Sequence, residues 1–267
     1  MPGHDMIIIK YHSEAGVRFV REQEKPDIRR LPLFRDMATA NFETLMQVAY
    51  SQNFPPQLDL LRQGEPADFL HIVVEGMVEL RAEWGGRETT MAVVGPISTF
   101  VLAACIKDTA YLMSARTLEK SRIVMVPAVD LRAAFRRDPD FAMAVIVDLA
   151  GSYRSMVRHA KNLKLRNSRE RLAAFVLRQS ALNGQAPGFV LPVEKRLLAS
   201  YLGMTPENLS RTMRQLESEG LKVDGQRLII TDRAALTALA QPDPLIDGPD
   251  TELTAEELGL PRANAVG

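Results

Sequence analysis

Glu207, Ser210 and Arg211 fall within one short stretch, TPENLSRTMRQL, and together they suit the edges of nucleic-acid bases. An arginine can give two parallel hydrogen bonds to guanine, a glutamate can accept from the amino group of cytosine, and a serine can help contact thymine. Such readout needs the three side chains fixed on one face of a rigid element. The stretch supplies that element: Thr205 can cap a helix, Pro206 suits its first position, and Glu207 is an acid in its first turn. Leu209, Met213 and Leu216 form the apolar stripe, which leaves Glu207, Asn208, Ser210, Arg211 and Arg214 opposite it. Just upstream, Glu194 to Tyr201 places Leu197, Leu198 and Tyr201 on one face at helical spacing. Gly203 stands where a turn between two helices requires positive φ. The pattern predicts a helix-turn-helix whose second helix offers Thr205, Pro206, Glu207, Asn208, Ser210, Arg211 and Arg214 to double-stranded DNA. An ordinary helical hairpin with solvated charges is the plainer alternative.

The residues that follow favour the first reading. Gly220 ends the helix, and LKVDGQRLIITD carries an Asp224-Gly225 turn between two short apolar runs, which predicts a β-hairpin. A hairpin directly after a recognition helix makes a wing, and Lys222 and Arg227 on it would meet phosphates. Residues 164–234 hold 12 Lys+Arg against 7 Asp+Glu, whereas the whole chain balances at 33 of each. Positive charge is therefore gathered where the motif needs it.

The chain has 267 residues, which at roughly 150 residues per domain predicts two domains. With 46% hydrophobic and 25% charged residues, it can bury ordinary cores. No apolar run reaches the ~18 residues of a membrane span, and MPGHDMIIIKYH is not a secretory signal, so a cytoplasmic protein without a membrane partner is expected. Cys105 is the one cysteine, which excludes an internal disulfide or an all-cysteine cluster within a chain. No Ser/His/Asp set, supported carboxylate pair or phosphate-cradling glycine loop is visible, so no enzymatic activity is expected.

Residues 1–30 show no sustained period and read as an accessory arm. Residues 31–137 alternate short apolar runs with turns; HIVVEGMVELRAEW sets Gly76 between two strands, and Gly85-Gly86 reverses the chain before ETTMAVV. A barrel, sandwich or roll is expected there, with Leu70, Ile72 and Val74 alternating inward. Over 138–163 a long helix carries Ile146, Leu149, Tyr153, Met156, Ala160 and Leu163 at spacings of 3, 4, 3, 4 and 3. That is the seam of a helix pairing with its own copy, although a stripe packed on its own domain would look alike. A neighbouring helix-turn-helix favours pairing, because such motifs read two half-sites as symmetric dimers. Residues 164–240 hold the winged motif. Residues 241–267 carry 6 acids against Arg262 alone and read as a solvating, disordered tail.

In this order the chain resembles the Crp–Fnr superfamily of bacterial transcription regulators, through LPLFRDM (31–37), LLRQGEPADFLHIVVEGMVEL (60–80), RERLAAFVL (169–177) and the helix-turn-helix. The resemblance implies an α+β chain with a cyclic-nucleotide-binding-like β-roll, a dimerisation helix and a C-terminal winged helix-turn-helix. Its implied partners are DNA, a second copy and RNA polymerase. Cyclic-AMP-binding members carry Gly-Glu-Leu followed by Arg-Ser or Arg-Thr. GPISTFVLAACIKDTAYLMSART lacks the Glu and has no arginine before Arg116, so cyclic AMP is not expected. One cysteine cannot hold the iron–sulfur cluster of the oxygen-sensing members. The carbon-monoxide branch uses a Cys and a His together; Pro2 is present here, but no His lies beside Cys105. Ser98-Thr99-Phe100 and Asp108-Thr109 resemble the nitrate respiration regulators, a branch associated with nitric oxide and haem. Phe100, Leu102, Tyr111 and Met113 would line an apolar effector pocket, or simply fill the core. His4, His12, His71 and His159 lack metal spacing; Cys105 reads as a small buried hydrophobe. Glu207-x-x-Ser210-Arg211 reproduces the Fnr-like pattern for TTGAT half-sites. Pro206 stands where cyclic-AMP-type members have arginine.

Overall fold

A computed structural model describes residues 18–191 and 194–248. The expectations for His4, His12 and the rest of 1–17, and for the acidic stretch after residue 248, lie outside the described residues. The chain divides into two compact units, 18–88 with 93–150, and 89–92 with 151–248.

The first unit is built on strands β1 (Arg18–Phe19), β2 (Tyr50–Phe54), β3 (Asp59–Leu61), β4 (Phe69–Glu75), β5 (Val78–Trp84), β6 (Arg87–Val94), β7 (Ser98–Phe100), β8 (Ser114–Thr117) and β9 (Ser121–Pro127). They form a five-stranded sheet, β1-β2-β9-β4-β7, and a four-stranded one, β3-β8-β5-β6. The central pairing is antiparallel β4 on β9, with Ile72 opposite Val124. Every β4 residue from Phe69 to Val74 is buried. Leu70, Ile72 and Val74 are buried as expected, and the intervening Phe69, His71 and Val73 are buried too. Helices Lys25–Arg29, Leu102–Lys107 and Ala128–Arg137 pack against this strand, so both of its faces lose water.

Residues 18–30, expected to form part of an arm, belong to this core. Ile28 is buried, and so is the Glu24 carboxylate, which accepts from Ser51 Oγ at 2.9 Å, Arg122 Nη1 at 2.6 Å and the Arg21 amide at 2.8 Å. Burial opposes its charge, but those donors prevail and hold the carboxyl below the usual range.

The long helix runs Pro139–Leu165. Asp138 opens it, accepting from the Phe141 amide at 2.9 Å while also accepting from Ala38 N and Asn41 Nδ2. Phe141 and Val145 are buried in the first unit, with Phe141 stacked on Phe34. Ile146, Tyr153 and Met156 are 53%, 71% and 58% exposed, so among the described residues much of the expected seam is not buried within one chain. Leu149 and Ala160 are half-buried. Leu163 departs from the seam: it packs on Gly203 of its own chain, where an added Cβ would come within 2.7 Å of its Cδ2.

The second unit is organised by helix Ser168–Leu182, opened by a capping box in which Asn167 accepts from Arg169 N and Glu170 N while Glu170 accepts from Asn167 N. Leu172, Val176, Leu198, Leu209, Leu216, Leu228 and Leu236 form its fully buried centre. Strands β10 (Gly188–Val190), β11 (Leu221–Asp224) and β12 (Arg227–Ile230) form a small sheet in the order β10-β12-β11. Helix Arg233–Ala240 packs on Ser168–Leu182. Residues 241–248, expected to belong to a solvating tail, instead form a turn of helix, Pro244–Asp247, with Ile246 buried. Their acids are not free: Asp247 faces Arg166.

Candidate DNA-reading surface

The helix-turn-helix forms from local signals. Its first helix is Lys195–Tyr201, with Leu197 and Leu198 buried. Gly203 has φ +63°, the conformation its position in the turn requires. Thr205 then caps Pro206–Gln215 by accepting from the Asn208 amide at 3.2 Å, and Pro206 occupies the first turn. Leu209 and Met213 face the core, and Leu216 is buried just beyond the helix.

Glu207, Arg211 and Arg214 are exposed and Ser210 is half-buried, so these four share an outward face. The Glu207 carboxyl is held below its usual range by its own backbone N–H and by the Thr205 hydroxyl. It is therefore an ionised acceptor at neutral pH. Thr205 and Pro206 are exposed at the helix start. Asn208 departs from the expected face: it is half-buried, and its Nδ2 lies 3.4 Å from Ser168 Oγ. It ties the motif to the start of the preceding helix, Ser168–Leu182. In the wing, Lys222 and Arg227 are exposed on paired strands, with Arg227 opposite Asp224 beside the turn. The Asn167–Glu170 capping box escaped the sequence reading, although the spacing Asn-x-x-Glu is its local signature.

Inside the roll, Phe100, Leu102 and Tyr111 are buried and Met113 is half-buried. Two of these residues gather around His71: its ring stacks on Phe100 at 5.1 Å and meets Tyr111 edge-on at 6.4 Å. The Tyr111 hydroxyl donates to the Phe69 carbonyl at 3.0 Å. His71 is 4% exposed and its Nδ1 has no hydrogen-bond partner. Burial pushes this imidazole down to about 4. The unfolded chain therefore binds the extra proton first. The stability due to neutral His71 is complete above pH 6.5 and drains away as pH falls towards 4, a loss of about 3 kcal/mol. His71→Phe is expected to flatten this acid slope, as followed by urea unfolding between pH 7 and 4.5; an unchanged slope would assign the loss to other groups.

Several charged groups of the roll pair with one another. Arg116 Nε lies 3.0 Å and Arg81 Nη2 2.7 Å from Asp59 Oδ1, and Arg81 also pairs with Glu88. Cys105 is fully buried, its thiol pushed up to about 12 by burial. His159 packs against Tyr201 at 5.4 Å between rings. Among the described residues no helix is long and apolar enough to cross a membrane.

The comparisons with known proteins agree with this geometry. Residues 170–239 match the Crp-like helix-turn-helix domain, and residues 51–138 match the cyclic nucleotide-binding domain. The chain is 26% identical over 206 residues to the cyclic AMP receptor protein of Thermus thermophilus, covering 77% of this chain and 94% of that protein. It is 25% identical over 194 residues to the nitrogen fixation regulation protein FixK of Azorhizobium caulinodans, covering 70% and 77%. The solved structure of FixK2 from Bradyrhizobium japonicum superposes with a TM-score of 0.61 at 26% identity, covering 72% of this chain and 97% of that one. A β-rich nucleotide-binding-type domain and a winged helix-turn-helix in one chain define a DNA-binding transcription regulator. The chain belongs to the Crp–Fnr superfamily.

Proposed function

We propose that this regulator works as a homodimer reading an inverted repeat of the form TTGAT-N4-ATCAA, and that its output is not gated by cyclic AMP. One observation carries the reading: Glu207, Ser210 and Arg211 share the outward face of the capped helix, with the glutamate ionised. Arg211 donates to guanine, Glu207 accepts from cytosine, and Ser210 lies beside thymine; Arg214, Lys222 and Arg227 supply phosphate contacts. Two copies joined along Ile146, Tyr153 and Met156 place two such helices about one helical turn apart. RNA polymerase is the partner such a bound dimer would engage.

The effector side follows from the roll. A buried cyclic phosphate needs a free cation, and Arg81 and Arg116 are already held by Asp59 and Glu88. Among the described residues the roll offers haem no accessible axial nitrogen, because His71 is buried in its core. Oxidation at Cys105 is disfavoured by its burial and its protonated thiol. Control by the abundance of the protein is the reading these three sites support. Binding-site selection with purified protein tests both parts: the expected yield is the palindrome, unchanged when cyclic AMP is added. A non-palindromic yield would sink the operator reading, and a yield obtained only with cyclic AMP would sink the effector reading.

A further inference from the structure

Residues 241–248 bind the end of the long helix. Helix Arg233–Ala240 closes at Gln241 in the left-handed conformation, and the chain turns back through Pro242 and Pro244. Asp243 caps the new turn of helix by accepting from Leu245 N at 2.7 Å. Asp247 then receives Arg166 as a two-pronged fork, Nη1 to Oδ1 at 2.7 Å and Nη2 to Oδ2 at 2.6 Å. The same guanidinium donates to the Gln241 carbonyl at 3.2 Å and to Asn162 Oδ1 at 3.2 Å. Arg158 donates to the Gly248 carbonyl and Lys161 to the Leu245 carbonyl, each at 3.3 Å.

These donors occupy one side of the long helix. Arg158, Lys161 and Arg166 recur at spacings of 3 and 5, and Met156 lies two residues from Arg158, roughly opposite at 3.6 residues per turn. The segment therefore leaves the exposed apolar seam clear. Arg166 lies at the junction itself, one residue past the long helix and one before Asn167, the cap of the next. Its side chain is 7% exposed, so the fork is shielded from water and is short and directional. Within this unit, the direction in which the long helix leaves the winged domain is thus fixed on two sides: Leu163 against Gly203 on one, residues 241–248 on the other.

We infer that residues 241–248 are a strap, with Arg166 and Asp247 as positioning residues, that sets the angle of the DNA-reading domain on the long helix and thereby the half-site spacing the dimer accepts. This rests on the dimer and palindrome reading above. One added base pair shifts a half-site by about 3.4 Å and turns it by about 35°. A rigid junction rejects that change; a loosened one follows it.

The test uses the full chain and the palindrome that the wild type itself selects. Affinity is measured for that site, for the same half-sites with the spacer lengthened by one and two base pairs, and for a single half-site. Asp247→Asn is expected to cut the preference for the native spacing about tenfold while single half-site affinity is unchanged. Arg166→Lys, which keeps the charge and loses the fork, should behave alike. If Asp247→Asn loses helicity by circular dichroism, Asp243→Ala removes the cap of Pro244–Asp247 together with a charge near Arg166, leaves the fork's own atoms in place and carries the same test. Spacing preference kept in a folded variant overturns the strap. So does a fall in single half-site affinity equal to that at the palindrome, which would mean that residues 241–248 only keep the domain folded. A wild type selecting a different palindrome would correct the operator sequence and leave the spacing test intact.

Discussion

Ile146→Glu combined with Met156→Glu is expected to convert the proposed dimer into a folded monomer and to abolish binding to a two-half-site operator. Both side chains are more than half exposed within one chain, so the substitutions cost the isolated fold little. In a dimer joined along this seam, each glutamate would be buried near its symmetry mate without a cation. Uncompensated buried charge costs about 3–5 kcal/mol, which weakens association roughly 10²–10⁴-fold. Sedimentation should show the monomer, circular dichroism an unchanged helix content, and gel shift no palindrome complex at concentrations that saturate the wild type. A variant that still sediments as a dimer would place the interface elsewhere.

Arg211→Ala is expected to lose about 1–3 kcal/mol on the palindrome and to relax the preference at one base pair, the guanine of each half-site. The arginine is exposed and half a helix from the cap, so its removal leaves Leu209, Met213 and the fold intact. Lys222→Ala provides the contrast. It should weaken all sequences alike and reduce the salt dependence by about one phosphate contact per subunit. Competition with operators substituted one base at a time separates the two. Equal losses of Arg211→Ala on every sequence would make Arg211 a phosphate contact, and the TTGAT assignment would fall.

The reading helix was legible in the sequence because everything that makes it is local. Thr205, Pro206 and Gly203 act within a turn or two of the side chains they position. What escaped depends on partners distant in the chain. Glu24 looked like one more charge of an arm, but its partner Arg122 is 98 residues away. Asp247 looked like part of an acidic tail, but Arg166, 81 residues earlier, accounts for it. Alternation marked Leu70, Ile72 and Val74 for the core but not Phe69, His71 and Val73, because the helices that cover the second face of β4 are set by tertiary packing alone. Asn208 has the spacing of an outward residue, and only Ser168 across the fold shows why it turns aside. Leu163 kept the seam's period yet packs on Gly203, because the last turn of the long helix is claimed by its own domain.

The depth of Cys105 has a practical side. The chain has one thiol; it is fully buried and protonated well past neutral pH, so maleimides and disulfide reagents find almost no thiolate to attack. A cysteine placed at an exposed position, such as Asp224 or Gln226 in the wing, would be the single labelling site of each subunit without any background substitution. Two dyes on one dimer, one per wing, would then report the distance between the DNA-reading ends directly in solution.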